Sequence, residues 1–506
     1  MITWTFSPTS DVVIPREIIH IPAEALHESI STQLASGSRL ALACAIDDYD
    51  SIRLVYVFAN PCTNRRTEIE VSLTEHDAKI GSLAALSFPA SRFEREFHDL
   101  FGIKILNHPL PRRLVRHGHW PASWYPMRHD SGNPIFLKGN LEFPFIPVKG
   151  PGIYEIPVGP IHAGLIEPGH FRFYAVGETI IKLKIRLWYL HKGLEKLFEG
   201  NDVFYGLTLS EKISGDTSVG HSLAYALAVE EALGITVDED IAMARAMLLE
   251  LERLYNHVSD IGSLANDVGF SLANAQALVL REKLLRINEQ ITGHRLLRGA
   301  ISIGGVHTLR QINRDEMAQI INTFSEIYSM INENAIVRER FTGTATLRKD
   351  DAILLDVLGP TARASGISSD ARIGNPFINL PFQTAAQTAG DVMARFQIRA
   401  NEFENSAQLL QANGQVFGIT ASSSSSKNAH CKSPTSARGI GIVEGWRGTI
   451  TTRVEIDSSN RLSRVKIVDP SWFNWPAIPI AMSETIVPDF PLANKSFNLS
   501  YSGNDL

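Results

Sequence analysis

Glu250-Leu251-Glu252-Arg253-Leu254-Tyr255-Asn256-His257 is the centre of a long run, Val237 to Ala265, with apolar residues on nearly every side of a helical projection. Apolar residues all round are typical of a helix buried in a bundle, so this run predicts a buried helix. Glu250, Arg253 and His257 are spaced at i, i+3 and i+7 and therefore share one face. Two interpretations of that face stay open: a proton path or cavity support, and a buried ion pair that fixes helix packing.

The neighbouring sequence predicts further helices of the same kind. Residues 222–340 consist mostly of apolar runs at helical spacing, and another helix is expected over roughly 383–412. Several long helices that are apolar on most sides favour a helical bundle, because each must bury its surface against the others. The predicted helices between 222 and 340 are Leu223 to Leu233, Val237 to Ala265 and Ala275 to Leu297.

Residues before and after the helices show the patterns of strands. Leu40 to Ile46 and Ile52 to Phe58 predict strands of a small α/β domain that ends at about residue 105. Strand-like segments return at 153–188, and hairpin-like strands follow at 440–470. Together these patterns predict an α+β fold, in which a small N-terminal α/β domain precedes a helical bundle flanked by antiparallel β layers.

The composition is that of a folded protein, and we expect neither a membrane-spanning segment nor an N-terminal leader. A chain of 506 residues exceeds one ordinary core, and its net charge of −6 gives no reason to expect a nucleic-acid partner. No apolar run reaches the ~18–20 residues that a spanning helix needs. Cys44, Cys62 and Cys431 form no C-x-x-C pair, so we expect a reduced compartment and no iron–sulfur or zinc site built by this chain alone. Ser422 to Ser436 is serine-rich and predicts a mobile surface loop.

A first family resemblance lies at Phe93-Glu94-Arg95-Glu96-Phe97-His98-Asp99-Leu100-Phe101-Gly102-Ile103. Followed by Asn107-His108-Pro109 and Arg112-Arg113, this segment resembles the signature of the 30-kilodalton subunit of complex I. Gly102 is expected to end a helix in a turn. The resemblance implies a 30-kilodalton-like domain over residues 1–106 and, after it, an extended linker over 107–152.

The remainder of the chain, 153–506, is similar to the 49-kilodalton subunit of complex I and to the large subunit of energy-converting nickel–iron hydrogenases. Both modules on one polypeptide resemble the fused large subunit of formate hydrogenlyase-type complexes. The matching segments, in family order, are Gly159 to His162, Glu167 to Arg172, His191 to Lys196, Glu250 to His257, Arg281 to Lys283, Thr292 to Arg295, Gly304 to Val306, Arg363 to Gly366, Asp370 to Arg372, Gly390-Asp391 and Asp469 to Ser471.

One departure from the family decides which metal chemistry is expected. The hydrogenases of this family hold a nickel–iron centre with two C-x-x-C pairs. The resemblance places the four ligand positions at Ser214, Thr217, Ser500 and Gly503. Nickel and low-spin iron need soft thiolate donors, whereas a hydroxyl is a hard donor and glycine has no side chain. We therefore expect no metal at this site and no hydrogenase activity.

The vacated positions are expected to leave a polar pocket, which also contains Asp216 and His221. In complex I the equivalent region holds no metal and forms the inner part of a quinone cavity. The resemblance places His162 and His170 in the loop that meets the quinone headgroup, and either could supply a proton, since imidazole titrates near neutrality. Asp267 is a candidate carboxylate partner for such a histidine. The remaining candidates, with structural or proton-path roles, are Glu250, Arg253, His257, Arg363, Asp370 and Arg372.

The resemblance implies a subunit of a membrane-attached respiratory oxidoreductase that couples electron transfer to ion translocation. The partners would be an iron–sulfur small subunit of the hydrogenase or complex I type and antiporter-like membrane subunits. Quinone is the implied acceptor, iron–sulfur clusters belong to the partners, and this chain is expected to bind no cofactor itself. NAD enters only at the level of the whole complex, because no G-x-G-x-x-G fingerprint follows a strand. The expected place is the cytoplasmic side of the cell membrane, reached through partners.

Two other functions compete with this one. The chain could be a non-catalytic scaffold that holds an iron–sulfur partner to the membrane arm, with residues 94–113, Arg363 and Arg372 serving assembly. The pocket could instead bind a small anionic substrate near Arg363, Arg372 and Arg395. A loss of electron transfer on changing the candidate histidines would separate the first function from both.

Overall fold

The structure is a computed structural model that describes residues 16–138, 143–162, 166–381, 383–422 and 436–506. It confirms the predicted α+β architecture, a mixed small domain followed by a helical bundle with antiparallel sheets. Within the described ranges no helix has both the length and the apolar character needed to span a bilayer. Most of the serine-rich stretch, including Cys431, lies outside the described residues.

The N-terminal domain is a four-stranded sheet covered by two helices. Its elements are β1 Glu17–His20, α1 Leu26–Ala35, β2 Arg39–Asp47, β3 Ser51–Ala59, β4 Arg66–Thr74, β5 Lys79–Gly81, α2 Phe88–Phe101 and β6 Lys104–Leu106. The sheet order is β1-β4-β3-β2, with β1 parallel to β4 and the other neighbours antiparallel. As expected, α2 ends at Gly102, whose positive φ of 79° suits a residue without a Cβ atom.

A three-stranded antiparallel sheet opens the second domain. Its strands are β7 Tyr154–Val158, β8 His170–Val176 and β9 Thr179–Arg186, in the order β7-β8-β9. The connection between β7 and β8, residues 159–169, contains His162, and His170 is the first residue of β8. We call this connection the β7–β8 loop.

The segment between the two domains is clamped between a carboxylate and a guanidinium. Asp99 Oδ2 accepts hydrogen bonds from the backbone N–H groups of Leu114 and Val115 at 2.7 and 2.8 Å. The guanidinium of Arg186 donates to the carbonyls of the same two residues and of Arg116. A chain segment without a helix or strand of its own thus has its buried peptide groups satisfied by side chains on both sides.

The helical part is built around α6. Its elements are α3 Leu194–Phe198, α4 Val203–Ser210, α5 Ser218–Leu233, α6 Glu239–Asp267, α7 Ser271–Thr292, β10 Ile301–Ser302, β11 Gly305–His307, α8 Arg314–Asn332, α9 Ala335–Phe341, α10 Lys349–Leu355, α11 Gly359–Ala364, α12 Ala371–Gly374, α13 Val392–Asn413 and β12 Thr420–Ser422. Helices α7 and α13 pack along α6, and α5 is buried almost throughout.

Three details of the helix predictions were wrong. Helix α7 stops at Thr292 because Gly293, with φ of 79°, ends it before Leu297. Helix α13 starts at Val392, not near 383, because the Asp391 side chain accepts a hydrogen bond from the N–H of Ala394 and so caps the helix there. Helix α7 is also not buried all round, since apolar side chains such as Leu272 and Val279 are exposed on it.

The C-terminal part returns to β structure and short helices. Its elements are β13 Ser436–Gly445, β14 Gly448–Asp457, β15 Leu462–Val468, α14 Pro470–Asn474, α15 Ala477–Ala481, α16 Phe490–Phe497 and α17 Tyr501–Asp505. Strand β13 packs along α5, and at Gly439 and Gly441 no side chain separates the two backbones. A Cβ atom at Gly439 or Gly441 would collide with the carbonyl oxygens of Ala228 and Ala224, so this contact admits no side chain.

Candidate functional site

The structure brings together the two segments predicted to line the vacated metal pocket. Ser214 lies in the turn before α5, and Ser500 is the residue before α17, yet their Oγ atoms are 2.8 Å apart. Ser500 is held there as an N-cap, because its Oγ accepts a hydrogen bond from the N–H of Gly503 at 2.8 Å. A Cβ atom at Gly503 would lie 2.7 Å from the carboxyl carbon of Asp469, so no side chain fits at the fourth position.

Hydrogen-bond donors in the pocket converge on Asp216. Its Oδ1 accepts from Ser214 Oγ at 2.8 Å and from Thr217 Oγ1 at 3.0 Å. Arg447 binds both carboxylate oxygens, at 2.8 and 2.7 Å. Burial alone would raise the pKa of Asp216, but the Arg447 guanidinium and the two hydroxyls outweigh it and hold the pKa below its usual range. The pocket is therefore an anion cradle occupied by the chain's own carboxylate.

The hydroxyl protons in this cradle have a defined direction. An ionised Asp216 can only accept hydrogen bonds, so the hydroxyl of Ser214 donates its single proton to that carboxylate. Ser500 must then donate to Ser214, while it accepts from the N–H of Gly503. One continuous relay of donors thus runs from the first turn of α17 to Asp216.

The residues present do not fit a nickel–iron centre. Its four positions offer two serine hydroxyls, one threonine hydroxyl and a glycine, and all three hydroxyls are engaged in hydrogen bonds with protein groups. Hydroxyl oxygens are hard donors that stay protonated at neutral pH, whereas this centre needs thiolates. No step of the chemistry is therefore assigned to such a metal.

A buried histidine–carboxylate pair lies behind the pocket. His221 Nε2 and Asp469 Oδ2 are 3.0 Å apart, and both side chains are almost fully buried. The other oxygen of Asp469 caps α14 by accepting from the N–H of Ser471 at 2.8 Å. Burial would raise the pKa of Asp469, but His221 and Arg447 together lower it below its usual value. Sequence reasoning placed His221 here but missed Asp469 and Arg447 as its neighbours.

A carboxylate from another helix caps α5. The two oxygens of Glu252, on α6, accept hydrogen bonds from the N–H groups of Val219 and Gly220 at 2.7 and 3.0 Å. These are amides of the first turn of α5, which has no side-chain cap of its own. The interaction fixes the helix start that follows Thr217, and with it one wall of the pocket.

The β7–β8 loop is closed at its base and rests on α17. His162 Nε2 and the carbonyl of Gly169 are 2.8 Å apart, while His170 Nδ1 lies 3.1 Å from the carbonyl of Gly159. Gly159 has a positive φ of 82°, and a Cβ atom there would strike the Gly169 carbonyl and the His162 ring.

Two contacts join this loop to the pocket. Glu167 Oε2 accepts a hydrogen bond from the N–H of Ser502 at 3.1 Å. Gly169 lies against the ring of Tyr501, so close that a Cβ atom would be 2.6 Å from it. Tyr501 and Ser502 directly follow Ser500, so the loop that contains His162 and leads into β8 at His170 borders the pocket.

The structure does not place Asp267 in contact with either histidine. Asp267 is the last residue of α6, and its Oδ1 binds Lys495 Nζ of α16 at 3.1 Å. His162 and His170 contact the β7–β8 loop and β8, and the His170 ring also packs against Phe145. The last turn of α6 faces α16 instead.

The other predicted polar residues form one buried ion cluster, which is defined here by its eight side chains. Sequence reasoning identified six of them and missed Glu402 and Glu444, which come from α13 and β13. Arg363 is central, with contacts to Glu402 at 2.8 Å, Glu444 at 2.9 Å and Asp370 at 3.3 Å. The members of the cluster are Glu250, Arg253, His257, Arg363, Asp370, Arg372, Glu402 and Glu444.

The hypothesis of a small anionic substrate at the arginines was wrong. The guanidiniums of Arg363 and Arg372 are buried and bound to carboxylates of the chain. Arg395 is also buried, and it donates to Ser496 Oγ and to the carbonyls of Gly390 and Ala345. These three guanidiniums are already engaged within the chain, so they do not form the anion site that was predicted.

Family models match both modules of the chain. One described as respiratory-chain NADH dehydrogenase, 30 Kd subunit, matches residues 12–133. Another, described as respiratory-chain NADH dehydrogenase, 49 Kd subunit, matches residues 267–505. The second match contains much of the ion cluster and the Ser500 side of the pocket.

Known proteins resemble the chain over most of its length. Formate hydrogenlyase subunit 5 of Escherichia coli (strain K12) is 30% identical over 429 residues, covering 81% of this chain and 74% of that protein. The C/D component of NADH-quinone oxidoreductase from Phocaeicola vulgatus is 29% identical over 427 residues, covering 78% and 82%. A chain in the structure of a membrane-bound sulfane sulfur reductase, an archaeal respiratory membrane complex, is 25% identical with a TM-score of 0.64, covering 70% of this chain and 99% of that one.

Proposed function

Because the chain belongs to the family of respiratory-chain 30- and 49-kilodalton subunits that includes formate hydrogenlyase subunit 5, we propose that it is a subunit of a membrane-attached, complex I-like oxidoreductase. Electrons arrive from an iron–sulfur small subunit and pass to a quinone at the border between the pocket and the β7–β8 loop. Antiporter-like membrane subunits use the released energy to move ions, and the chain works on the cytoplasmic side of the cell membrane.

The observation that carries this proposal is the self-filled pocket beside a histidine-bearing loop. The converging donors hold Asp216 instead of a metal, so the chemistry of the site must come from groups at its border. The loop supplies such groups next to Tyr501 and Ser502. A scaffold role accounts for the fold but not for this loop, and we do not favour it.

His162 is the better candidate for the proton donor. Both ring nitrogens of His170 are occupied, Nδ1 by the Gly159 carbonyl and Nε2 by the Nε–H of Arg172 at 3.4 Å. His162 uses Nε2 for the Gly169 carbonyl, and Nδ1 has no hydrogen-bond partner among the described residues. Nδ1 can therefore take up a proton from water and pass it to a quinone oxygen as the ring is reduced.

The proposal is tested on the purified native complex by elemental analysis for nickel and iron and by quinone reduction on the same sample. We expect no stoichiometric nickel and inhibitor-sensitive quinone reduction. His162→Asn should lower turnover by roughly 10²-fold or more, the usual contribution of a general acid. His27→Asn, an exposed change on α1, is the control and should leave turnover unchanged. Stoichiometric nickel, or full turnover in an assembled His162→Asn complex, would contradict the proposal.

A further inference from the structure

The ion cluster contains more carboxylates than guanidiniums. Its acids are Glu250, Asp370, Glu402 and Glu444, and its guanidiniums are those of Arg253, Arg363 and Arg372. All of them are at least nine-tenths buried. An unbalanced charge in a poorly polarisable interior is costly, so one further proton is required to bring the cluster to neutrality.

Neighbouring charges do not remove this imbalance. Arg399 and Asp260, the next pair along α13 and α6, bind each other at 2.8 Å and are balanced by themselves. Glu252 is held by the amides of Val219 and Gly220 at the start of α5. The missing proton must therefore reside on His257 or on one of the four carboxyl groups.

The contacts of His257 exclude it as the carrier. Its Nε2 lies 3.0 Å from Glu402 Oε2, while its Nδ1 is buried without a hydrogen-bond partner among the described residues. In a neutral ring, Nε2 donates to Glu402 and Nδ1 is an acceptor without a donor, which costs little. In an imidazolium, Nδ1 would carry a buried, charged N–H group without an acceptor, which costs more. Burial also lowers the pKa of His257, against the opposing effect of Glu402.

Three of the four carboxyl groups have too many positive or donating neighbours to keep a proton. Glu402 is bound by Arg363, Arg253 and His257. Glu250 is bound by Arg372, Arg253 and the hydroxyl of Ser406. Asp370 is bound by Arg372 and Arg363. Each of these groups has its pKa lowered, because these partners outweigh the effect of burial.

Glu444 has the weakest set of cationic partners. Its Oε1 accepts from a single guanidinium, that of Arg363 at 2.9 Å. Its Oε2 meets neutral groups, the N–H of Ala371 at 3.1 Å and the hydroxyl of Thr449 at 2.7 Å. The charged groups that face it are Arg363 on α11 and Asp370 and Arg372 on or beside α12, while Arg253 on α6 binds its backbone carbonyl. Burial and the nearby Asp370 raise its pKa.

We propose that Glu444 holds a proton at neutral pH, which makes the centre of the ion cluster a proton-binding site. The protonated Oε2 can donate to Thr449 Oγ1 without any movement, because that hydroxyl can reverse its direction. The cluster is then neutral as a whole. This inference concerns the chain itself and does not rest on quinone being the acceptor.

The first test compares one substitution at three positions. Glu444→Gln replaces a neutral carboxyl by a neutral amide, whose NH₂ group cannot accept the hydrogen bond that Oε2 takes from the N–H of Ala371. The loss of that one bond should lower the thermal unfolding midpoint by no more than about 2 °C. Glu402→Gln and Glu250→Gln remove ionised carboxylates and should each shift it several-fold more. All three side chains are equally buried, so the pair is a matched control. A loss for Glu444→Gln as large as for the other two would overturn the proposal, and failure of that variant to fold would count as such a loss.

The second test observes the proton itself. The infrared spectrum of the complex should contain a carbonyl-stretch band of a protonated carboxyl group that shifts in D₂O. The difference between wild type and Glu444→Gln should show this band, and the difference between wild type and Glu402→Gln should lack it. A Glu444→Gln difference spectrum without the band would show that Glu444 is ionised. Neither test uses quinone. The proposed function can therefore fail while this inference stands, and this inference can fail while the proposed function stands.

Discussion

The pocket and the ion cluster are two polar regions on opposite sides of one turn, residues 444–448, and they solve burial differently. Glu444 enters the cluster and Arg447 enters the pocket. In the pocket, charges pair one to one, as Arg447 does with Asp216, and small hydroxyls fill the remaining places. In the cluster each guanidinium serves two or three carboxylates. Removing one member of a separate pair leaves one partner unpaired, whereas removing a shared guanidinium leaves two or three carboxyl groups without their common partner.

The largest effect should come from removing the shared cation of the cluster. Arg363→Met leaves Glu402, Glu444 and Asp370 without their common partner and should lower the free energy of unfolding by about 3–5 kcal/mol. Chemical denaturation of the purified protein measures it. Arg348→Met is the control, because that side chain is 82% exposed and its pair with Asp351 should contribute less than about 1 kcal/mol. Equal decreases in the free energy of unfolding of the two variants would show that the shared network and the separate pair do not differ in their contribution to stability.

A smaller effect is expected from adding one methyl group to the pocket. In Gly503→Ala the new Cβ atom meets the Asp469 carboxyl group, which must move away from His221, at a cost of about 1–3 kcal/mol. Gly215→Ala lies in the same pocket but meets nothing within 4 Å, so it should be nearly neutral. Thermal unfolding of both variants decides the matter, and a harmless Gly503→Ala would mean that the pocket is looser than the contacts indicate.

Titration should separate the two regions by sign. The pKa of Asp216 is lowered, so its stabilisation is present above the unfolded value of about 3.9 and is lost as the pH falls through the folded value. The pKa of Glu444 is raised, so the folded chain keeps a proton that the unfolded chain releases, and stability falls as the pH rises above about 4.5.

The free energy of unfolding of the wild type should therefore exceed that of Asp216→Asn near neutral pH, and this difference should shrink as the pH falls. Measured against Glu444→Gln, the wild type should lose stability toward neutral pH, by at most about 1.4 kcal/mol per pH unit for one proton. Asp216 keeps 39% of its side-chain exposure, so water screens its interaction and the acid-side change should be the weaker one. Unfolding free energies of the three proteins from about pH 2 to pH 8 provide the comparison, because the Asp216 change falls below about pH 3.9 and the Glu444 change above about pH 4.5. Slopes of the same sign in the two windows would refute it.

The smallest effect is expected at Asp267, which belongs to neither region. Its partner Lys495 is 38% exposed, so Asp267→Asn should change the free energy of unfolding by less than about 1 kcal/mol. Quinone turnover should be unchanged, because the carboxylate contacts α16 and not the β7–β8 loop. A marked loss of quinone turnover in an assembled Asp267→Asn complex would show that Asp267 takes part in the quinone site.

Local patterns in the sequence predicted the helices and strands well. They did not predict which residues far apart in the sequence come into contact. Helix α6 was predictable because its apolar residues repeat along the helix itself. The meeting of Ser214 with Ser500, 286 residues apart, came from the family resemblance and not from spacing. Glu402 and Glu444 were missed because a single acid on a helix or strand carries no sign of the arginine that it will meet. Exposed apolar residues on α7 looked like core because sequence alone does not show which face has a neighbour.

The glycine contact between α5 and β13 has a consequence for protein engineering. Since Gly439 and Gly441 bring the two backbones together without intervening side chains, the middle of α5 is positioned by main-chain contact, and its start is fixed by Glu252. The side chains at 214 and 217 can therefore be exchanged while α5 stays in place, whereas a change at 500 also removes the N-cap of α17. New donors such as imidazoles, grafted at these positions, would meet in a preformed frame, which makes this chain a host for designed metal sites.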